Sequence, residues 1–288
     1  MSTQIKKNRF ENVRYAVTHP GQAHRDEFLS ACILLALGVK EVYRRESQPE
    51  ELEDPSVLIM DIGGSYDPDR NNFDHHQLPR EADATCAFSM ILKAIGVYDV
   101  MKDINPWVEF TEVLDSKGPM LAAKAVGCEN FFAQILPALS PVEKALLNLF
   151  ESNSEVSPDL KQIMQEIGES ILKELETVLE RFKILDDGAQ FHQDGEIIDY
   201  RCVGKKNPGL GVMAWLKANK HNPAVSICHD DRGEGLTLYR FNDDPRYDFS
   251  QIASHWSVSF AHANGFIAKT KPSLTDEQIF ELLELAKT

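Results

Sequence analysis

The stretch RYAVTHPGQAHRDEFLSACILLALG, residues 14–38, changes character halfway along. RYAVTH is a short strand-like run, whereas DEFLSACILLALG reads as a helix, with Asp26 suited to its N-terminal end and Gly38 to its C-terminal end. Across the junction lie His19, His24, Asp26 and Glu27, a concentration of coordinating groups where strand hands over to helix. The alternation continues downstream. EVYRR (41–45) and SVLIMDIGG (56–64) are strand-like, the second continuously apolar until Asp61. NNFDHHQ (71–77) is short and bounded by turn residues, and TCAFSMILKAIG (85–96) reads as a helix with Thr85 as its N-cap. Strands alternating with helices at this spacing predict an α/β fold built on a parallel sheet.

From 103 to 186 the strand pattern gives way to helical segments: INPWVEFTEVLDS, PVEKALLNLFES and the long amphipathic SPDLKQIMQEIGESILKELETVLERF. EIIDYRCV, AVSICHDD and GLTLYRFN are strand-like again, with GVMAWLKANK and TDEQIFELLELAK as helices. A boundary at the LDDGAQF turn gives two domains. Residues 1–188 form a parallel-sheet domain with a helical connector, and residues 189–288 a smaller α+β domain.

Composition narrows the function. Hydrophobic content of 43% and charged content of 26% are those of a soluble globular protein. The longest apolar run, ACILLAL (31–37), is too short to span a bilayer, so no membrane partner is expected. MSTQIKKNRFENV has no apolar signal core, and the five scattered cysteines fit reduced thiols; both point to a cytoplasmic location. A net charge of −15 argues against a protein that coats nucleic acid. The charge is uneven, however: residues 201–229 contain Arg201, Lys205, Lys206, Lys217 and Lys220 and no acidic residue, which makes that run a candidate anion contact.

The candidate chemistry gathers at strand ends. His19 closes the first strand, His24 and Asp26 follow in the turn, Asp61 closes VLIMD, Asp74, His75 and His76 cluster in FDHHQ, and Asp115 lies in VLDSKGP. In an open α/β sheet, ligands bind beyond the carboxyl ends of the strands, so residues distant in sequence converge there. An Asp at the end of a buried apolar strand is costly unless it is paired, and a dication shared with imidazoles would pair it. Any one of these histidines alone is more often a core or loop residue; the set is what points to metal. His75 and His76, if on a regular strand, face opposite ways, so one is expected at a metal and the other toward substrate or loop.

Four ordered motifs, HPGQAHRDE (19–27), DIGGSYDP (61–68), DHHQ (74–77) and HANGFI (262–267), resemble those of the DHH phosphoesterase superfamily, and within it the MYG (melanocyte proliferating gene) family. That superfamily includes RecJ-like exonucleases, oligoribonucleases and manganese-type inorganic pyrophosphatases. The resemblance implies a metal-dependent phosphodiester hydrolase, a 3′–5′ exonuclease on RNA or short oligonucleotides, with two divalent ions. By position, His19, His24 and Asp61 would hold one ion, and Asp26, Asp61, His75 and Asp115 the other, with Asp61 bridging.

His24 stands where the wider superfamily has an aspartate, which adds a nitrogen ligand and favours Mn²⁺ over Mg²⁺. LDSKGP stands where the family reads closer to D-x-x-D-N-G. His76 is expected to hydrogen-bond or protonate a substrate oxygen, beside Asp61 in the catalytic centre. His262, Asn264 and Gly265 of the HANGF turn, with Lys205, Lys206 and Arg240, are the expected substrate contacts, although an ordinary ion pair is the simpler reading of Arg240. Two other readings compete: a phosphatase of small nucleotides or polyphosphate, and a non-catalytic binding protein stabilised by metal. A homodimer is compatible with either.

Overall fold

The computed structural model describes residues 4–125, 141–152 and 154–288. The helical reading of 103–186 therefore falls partly, at 126–140 and 153, outside the described residues. By internal contacts the chain divides into two units, Met1–Glu176 and Thr177–Thr288.

The first unit opens with β1 (Tyr15–Thr18), α1 (Arg25–Ala36), β2 (Val42–Arg44), α2 (Pro49–Glu53) and β3 (Val57–Met60). β4 (Tyr66–Asp67) and β5 (Asn72–Phe73) complete a sheet of order β2-β1-β3-β5-β4. β2, β1, β3 and β5 run parallel, and β4 pairs antiparallel at the edge. All four residues of β3 are buried, which explains why its sequence is an unbroken apolar run rather than an alternation.

Helices α3 (Ala87–Ala94), α4 (Tyr98–Ile104), α5 (Pro106–Lys117), α6 (Pro119–Ala125), α7 (Pro141–Glu151) and α8 (Pro158–Gly188) follow. α3 is capped by Cys86 rather than by Thr85. The Cys86 N–H donates to Ser89 Oγ at 3.1 Å, and the Thr85 hydroxyl is spent on the same serine at 3.0 Å.

α1 is the hub of this unit. Phe28 meets Phe150 of α7 edge-on at 5.5 Å. α8 approaches so closely that a Cβ on Gly168 would lie 2.0 Å from the Cys32 carbonyl oxygen, so only glycine fits there. α8 continues through LDD to Gly188, and the division between the units falls inside it.

The second unit adds β6 (Gln190–His192), β7 (Ile197–Asp199), α9 (Val212–Ala218), β8 (Val225–His229), β9 (Leu236–Arg240), β10 (Val258–Ala261), β11 (Ile267–Thr270) and α10 (Asp276–Leu285). Its sheet runs β10-β11-β9-β8-β7-β6, with β7 and β8 parallel and the other pairs antiparallel. One face buries Val225, Ile227, Leu238 and Ala268 with Ile279, Leu282 and Leu283 of α10. On the other, Ile198 and Cys228 pack with Val212 and Trp215 of α9.

Candidate metal centre

The turn after β1 delivers the first group of ligand-type side chains. His24 is the N-cap of α1, and its N–H donates to Glu27 Oε1 at 2.7 Å, so Glu27 is the helix-start residue its position suggests. Glu27 does more than cap. It is fully buried, lies 3.4 Å from His19 Nε2, and receives Arg44 Nη1 at 3.3 Å. Arg44, at the end of β2, also donates to the Gly21 carbonyl at 2.9 Å and lies over the Phe150 ring at 4.4 Å. A buried guanidinium thus ties the histidine loop to the helix start.

β3 supplies Asp61, whose φ of 56° places it in the left-handed region rarely adopted by non-glycine residues. Its N–H remains paired to Phe73 O at 3.1 Å, so the strand ends by turning the carboxylate out of the sheet rather than by fraying. Beyond β5, Asp74 organises the DHHQ loop. Its Oδ1 accepts the N–H groups of His75 at 2.7 Å and His76 at 3.1 Å, and its Oδ2 accepts Gly64 N–H at 2.6 Å.

The regular-strand premise for the paired histidines fails here, because β5 ends at Phe73. Curled by Asp74, the two rings lie 4.5 Å apart, both toward Asp61 rather than on opposite faces. They still differ: the His75 side chain is 7% exposed and that of His76 63%. Asp115 departs from the strand-end pattern too; it is carried by the last turns of α5.

The ligand-type atoms fall into overlapping groups, each within 4.8 Å: His19, His24, Glu27 and Asp61; Asp26, Asp61, His75 and Asp115; and Asp61, His75 and His76. Asp61 is common to all three. His19 Nε2 is 3.3 Å from Asp61 Oδ2, while His75 Nε2 is 3.0 Å from Asp61 Oδ1 and 2.8 Å from Asp115 Oδ2. Asp26 is 1% exposed, and neither of its carboxylate oxygens has a hydrogen-bond partner among the described residues. Such a carboxylate is expensive to bury, and a divalent cation shared with the surrounding donors would offset the cost. The mixed nitrogen and oxygen donors fit Mn²⁺ and, less selectively, Mg²⁺.

The protonation pattern is that of a carboxylate cluster balanced by imidazolium. Hydrogen bonding to Asp61 and then Glu27 raises His19 to about 10. At His75, burial opposes the charge, but Asp115 and Asp61 prevail and hold it at about 10. Burial pushes Asp61 up as well, yet the bonds from His19 and His75 win and bring it to about 2. Asp26 is driven well above the usual carboxylate range, first by burial and then by the charges of Asp61, Asp115 and Glu27.

A small cavity of about 190 Å³ adjoins this cluster, lined in part by His75, His76, Asp115, Arg80 and Lys117. Lys117 Nζ donates to the Arg80 and Ala82 carbonyls at 2.7 Å, which shapes the loop after DHHQ. Arg44, Arg80 and Lys117 escaped the sequence reading as site residues; Asp74 stands there with the candidate chemistry but without a role of its own.

The expected substrate contacts lie in the second unit. In the β10–β11 turn, Gly265 N–H donates to His262 O at 2.8 Å and Asn264 N–H to His262 Nδ1 at 3.1 Å, so both are engaged within the turn. Gly265 has φ +66°, and a Cβ there would lie 1.9 Å from Asp248 Oδ1. Arg240 donates to Tyr247 O at 2.7 Å and Asp243 at 3.0 Å, a local tie rather than a cross-strand pair. Lys205 pairs with Glu234 at 2.6 Å, and Lys206 is exposed.

One prediction follows from Arg44. Arg44→Met leaves Glu27 buried without its guanidinium partner and with only His19 beside it, and breaking a buried pair costs about 3–5 kcal/mol. A lowered thermal midpoint is expected, together with weaker Mn²⁺ binding by equilibrium dialysis, because the His19–His24 loop loses its anchor.

Residues 15–97 match the family model MYG1_exonuc, described as "Uncharacterised protein family (UPF0160)". Over this span the chain is similar to MYG proteins. The matched span includes every predicted metal ligand except Asp115. The MYG1 protein of Dictyostelium discoideum is 25% identical over 305 residues, covering 88% of this chain and 91% of that one. The MYG1 exonuclease of Bos taurus is 45% identical over 65 residues, 21% of this chain, so the match spans only 16% of the bovine MYG protein's length. Among solved structures, the chain is similar to the pGpG-specific phosphodiesterase PggH from Vibrio cholerae, at 14% identity and a TM-score of 0.32, covering 94% of this chain and 97% of that one. It is also similar to RecJ from Thermus thermophilus, solved in complex with Mn²⁺, at 14% identity and a TM-score of 0.27, covering 99% and 54%.

Proposed function

We propose that this chain is a metal-dependent phosphoesterase acting on short oligonucleotides, with RNA as substrate and 3′–5′ exonucleolytic release of nucleotides as the finer assignment. The observation that carries it is the sharing of Asp61 between a histidine-rich group and the Asp26–His75–Asp115 group, beside a buried Asp26 carboxylate without a donor among the described residues. The name exonuclease carried by the bovine MYG1 relative supports the same class. His19, His24 and Asp61 would hold one cation, and Asp26, Asp61, His75 and Asp115 the other. When bound, such cations supply charge for the phosphoryl oxygens and acidify a water for in-line attack.

The chain's own groups do the rest. Arg44 and Glu27 hold the histidine loop in place, and Asp74 fixes the His75–His76 pair. His76 Nδ1 donates to Asp74 Oδ1 at 2.7 Å, which leaves Nε2 of this exposed ring to meet a leaving oxygen and move its proton. The small cavity beside His76 offers room for the scissile phosphate and its neighbours rather than for a duplex.

That same size favours, as a second reading, a phosphatase of small phosphorylated compounds. A Mn²⁺-dependent screen over oligoribonucleotides, oligodeoxynucleotides, mononucleotides and pyrophosphate separates them. Release of mononucleotides from an oligoribonucleotide supports the nuclease; turnover confined to mononucleotides or pyrophosphate supports the phosphatase. No turnover of any phosphoester defeats both.

A further inference from the structure

The second unit holds a cavity of about 610 Å³ that the metal chemistry does not use. It lies on the sheet face opposite α10. On that face Phe260, Lys269, Thr237 and Cys228 follow one another across β10, β11, β9 and β8, and Ile267 stands beside Tyr239 in the next row. Their alternating neighbours Ala268, Leu238 and Ile227 point into the α10 core, so the register fixes which side each residue takes. Cys228 is buried with α9, but the side chains beyond it emerge: Tyr239 is 37% and Phe260 48% exposed.

Aromatics exposed side by side on a sheet face offer flat surface to a partner, and Tyr239 is braced by its neighbours. Tyr239 has Phe241 edge-on at 5.5 Å and Phe266 at 6.4 Å. Cations accompany the rings. Lys269, in the middle of the row, pairs with Asp230 at 2.5 Å and lies 3.9 Å from Asp231, with further N–H groups to give, while Arg232 stands mostly exposed at the cavity wall, 4.0 Å from the same Asp231. The acid-free stretch 201–229 contributes Asn207, Pro208 and Gly209 to the lining.

We infer that this cavity is a stacking platform for a nucleobase, with the attached phosphate directed to the Lys269–Arg232 side. Flat π-faces accept any base, cations accept the phosphate, and the volume suits one or two nucleotides. Charge favours this occupant over an apolar peptide or a second copy of the chain, since a lysine sits at the centre of the row. The inference deepens the phosphoesterase reading by assigning the base-binding element to the β8–β11 face rather than to Lys205, Arg240 or the HANGF turn. It predicts binding with little sequence preference.

The test uses the full chain and a short oligoribonucleotide containing 2-aminopurine, whose fluorescence falls on stacking. Quenching without added metal, and KM for the oligoribonucleotide with Mn²⁺, are read beside turnover of bis(p-nitrophenyl) phosphate, a diester with no base. Tyr239→Leu and Phe260→Ala should weaken quenching and raise KM roughly ten- to hundredfold, as the loss of one base stack does. Turnover of the base-free diester should stay within about twofold, and Tyr239→Phe should retain binding. Unchanged quenching and KM in both variants overturn the inference. So does a change in sedimentation from dimer to monomer with quenching intact, which would make the face a self-association surface. If the wild type hydrolyses neither substrate, the phosphoesterase reading fails on its own, while the quenching measurement still decides the platform.

Discussion

On the phosphoesterase reading, Asp61→Asn is expected to abolish hydrolysis, by on the order of a thousandfold or more, while the chain stays folded. Asparagine is the informative substitution because residue 61 sits at φ 56°, a conformation that asparagine tolerates and alanine does not. It keeps size and backbone and removes the one charge common to every ligand group. Losing several kcal/mol of charge stabilisation at the reacting phosphoryl group corresponds to about three orders of magnitude in rate. The expected pattern is a collapse of kcat with Mn²⁺ affinity also reduced, and a far-ultraviolet circular dichroism spectrum unchanged from wild type. Activity within tenfold of wild type would remove Asp61 from the centre.

The second large effect is proton release on metal binding. Near pH 7 the metal-free chain carries protons on His19 and His75, both held at about 10, while burial pushes the Asp26 carboxyl well above its ordinary range. An imidazole or carboxylate must shed its proton before it can ligate. Mn²⁺ binding at pH 7 should therefore release at least about two protons per chain, and apparent affinity should climb steeply with pH. Calorimetric titration in two buffers of different ionisation enthalpy measures the number directly; heats that do not differ between buffers would contradict it.

Stability follows the same groups with opposite signs. The raised histidines stabilise the metal-free fold fully below about 6.5, and that contribution disappears as pH rises through about 10. Depressed Asp61 contributes above about 3.8 and loses that contribution as pH falls through about 2. Asp26, raised, costs stability as pH climbs through its folded value. The metal-free chain should thus melt at progressively lower temperature from pH 7 to 10, and Mn²⁺ should reverse the trend.

The parallel character of the first sheet was legible because RYAVTH, SVLIMD and the helices after them carry their periods openly, whereas the strand order was not. β4, only Tyr66–Asp67, and β6, Gln190–His192, are too short to show a period at all. β10 and β11 flank HANGFI, where a motif drew attention from the strands around it. At the site, the residues of the two expected ligand groups converge. What the sequence hid was their support. Arg44 looks like one more charge in EVYRR, and only three-dimensional packing reveals a buried guanidinium bridging a loop and a helix start. The pairing of His75 with His76 also required the fold, since Asp74 bends a segment whose pattern reads as extended.

The most direct test of a shared two-cation centre is electron paramagnetic resonance of the Mn²⁺-loaded chain at known stoichiometry. Two Mn²⁺ per chain with a spin-coupled spectrum, lost in Asp61→Asn, is the predicted result. A single bound ion, or two ions giving only uncoupled six-line signals, would contradict it.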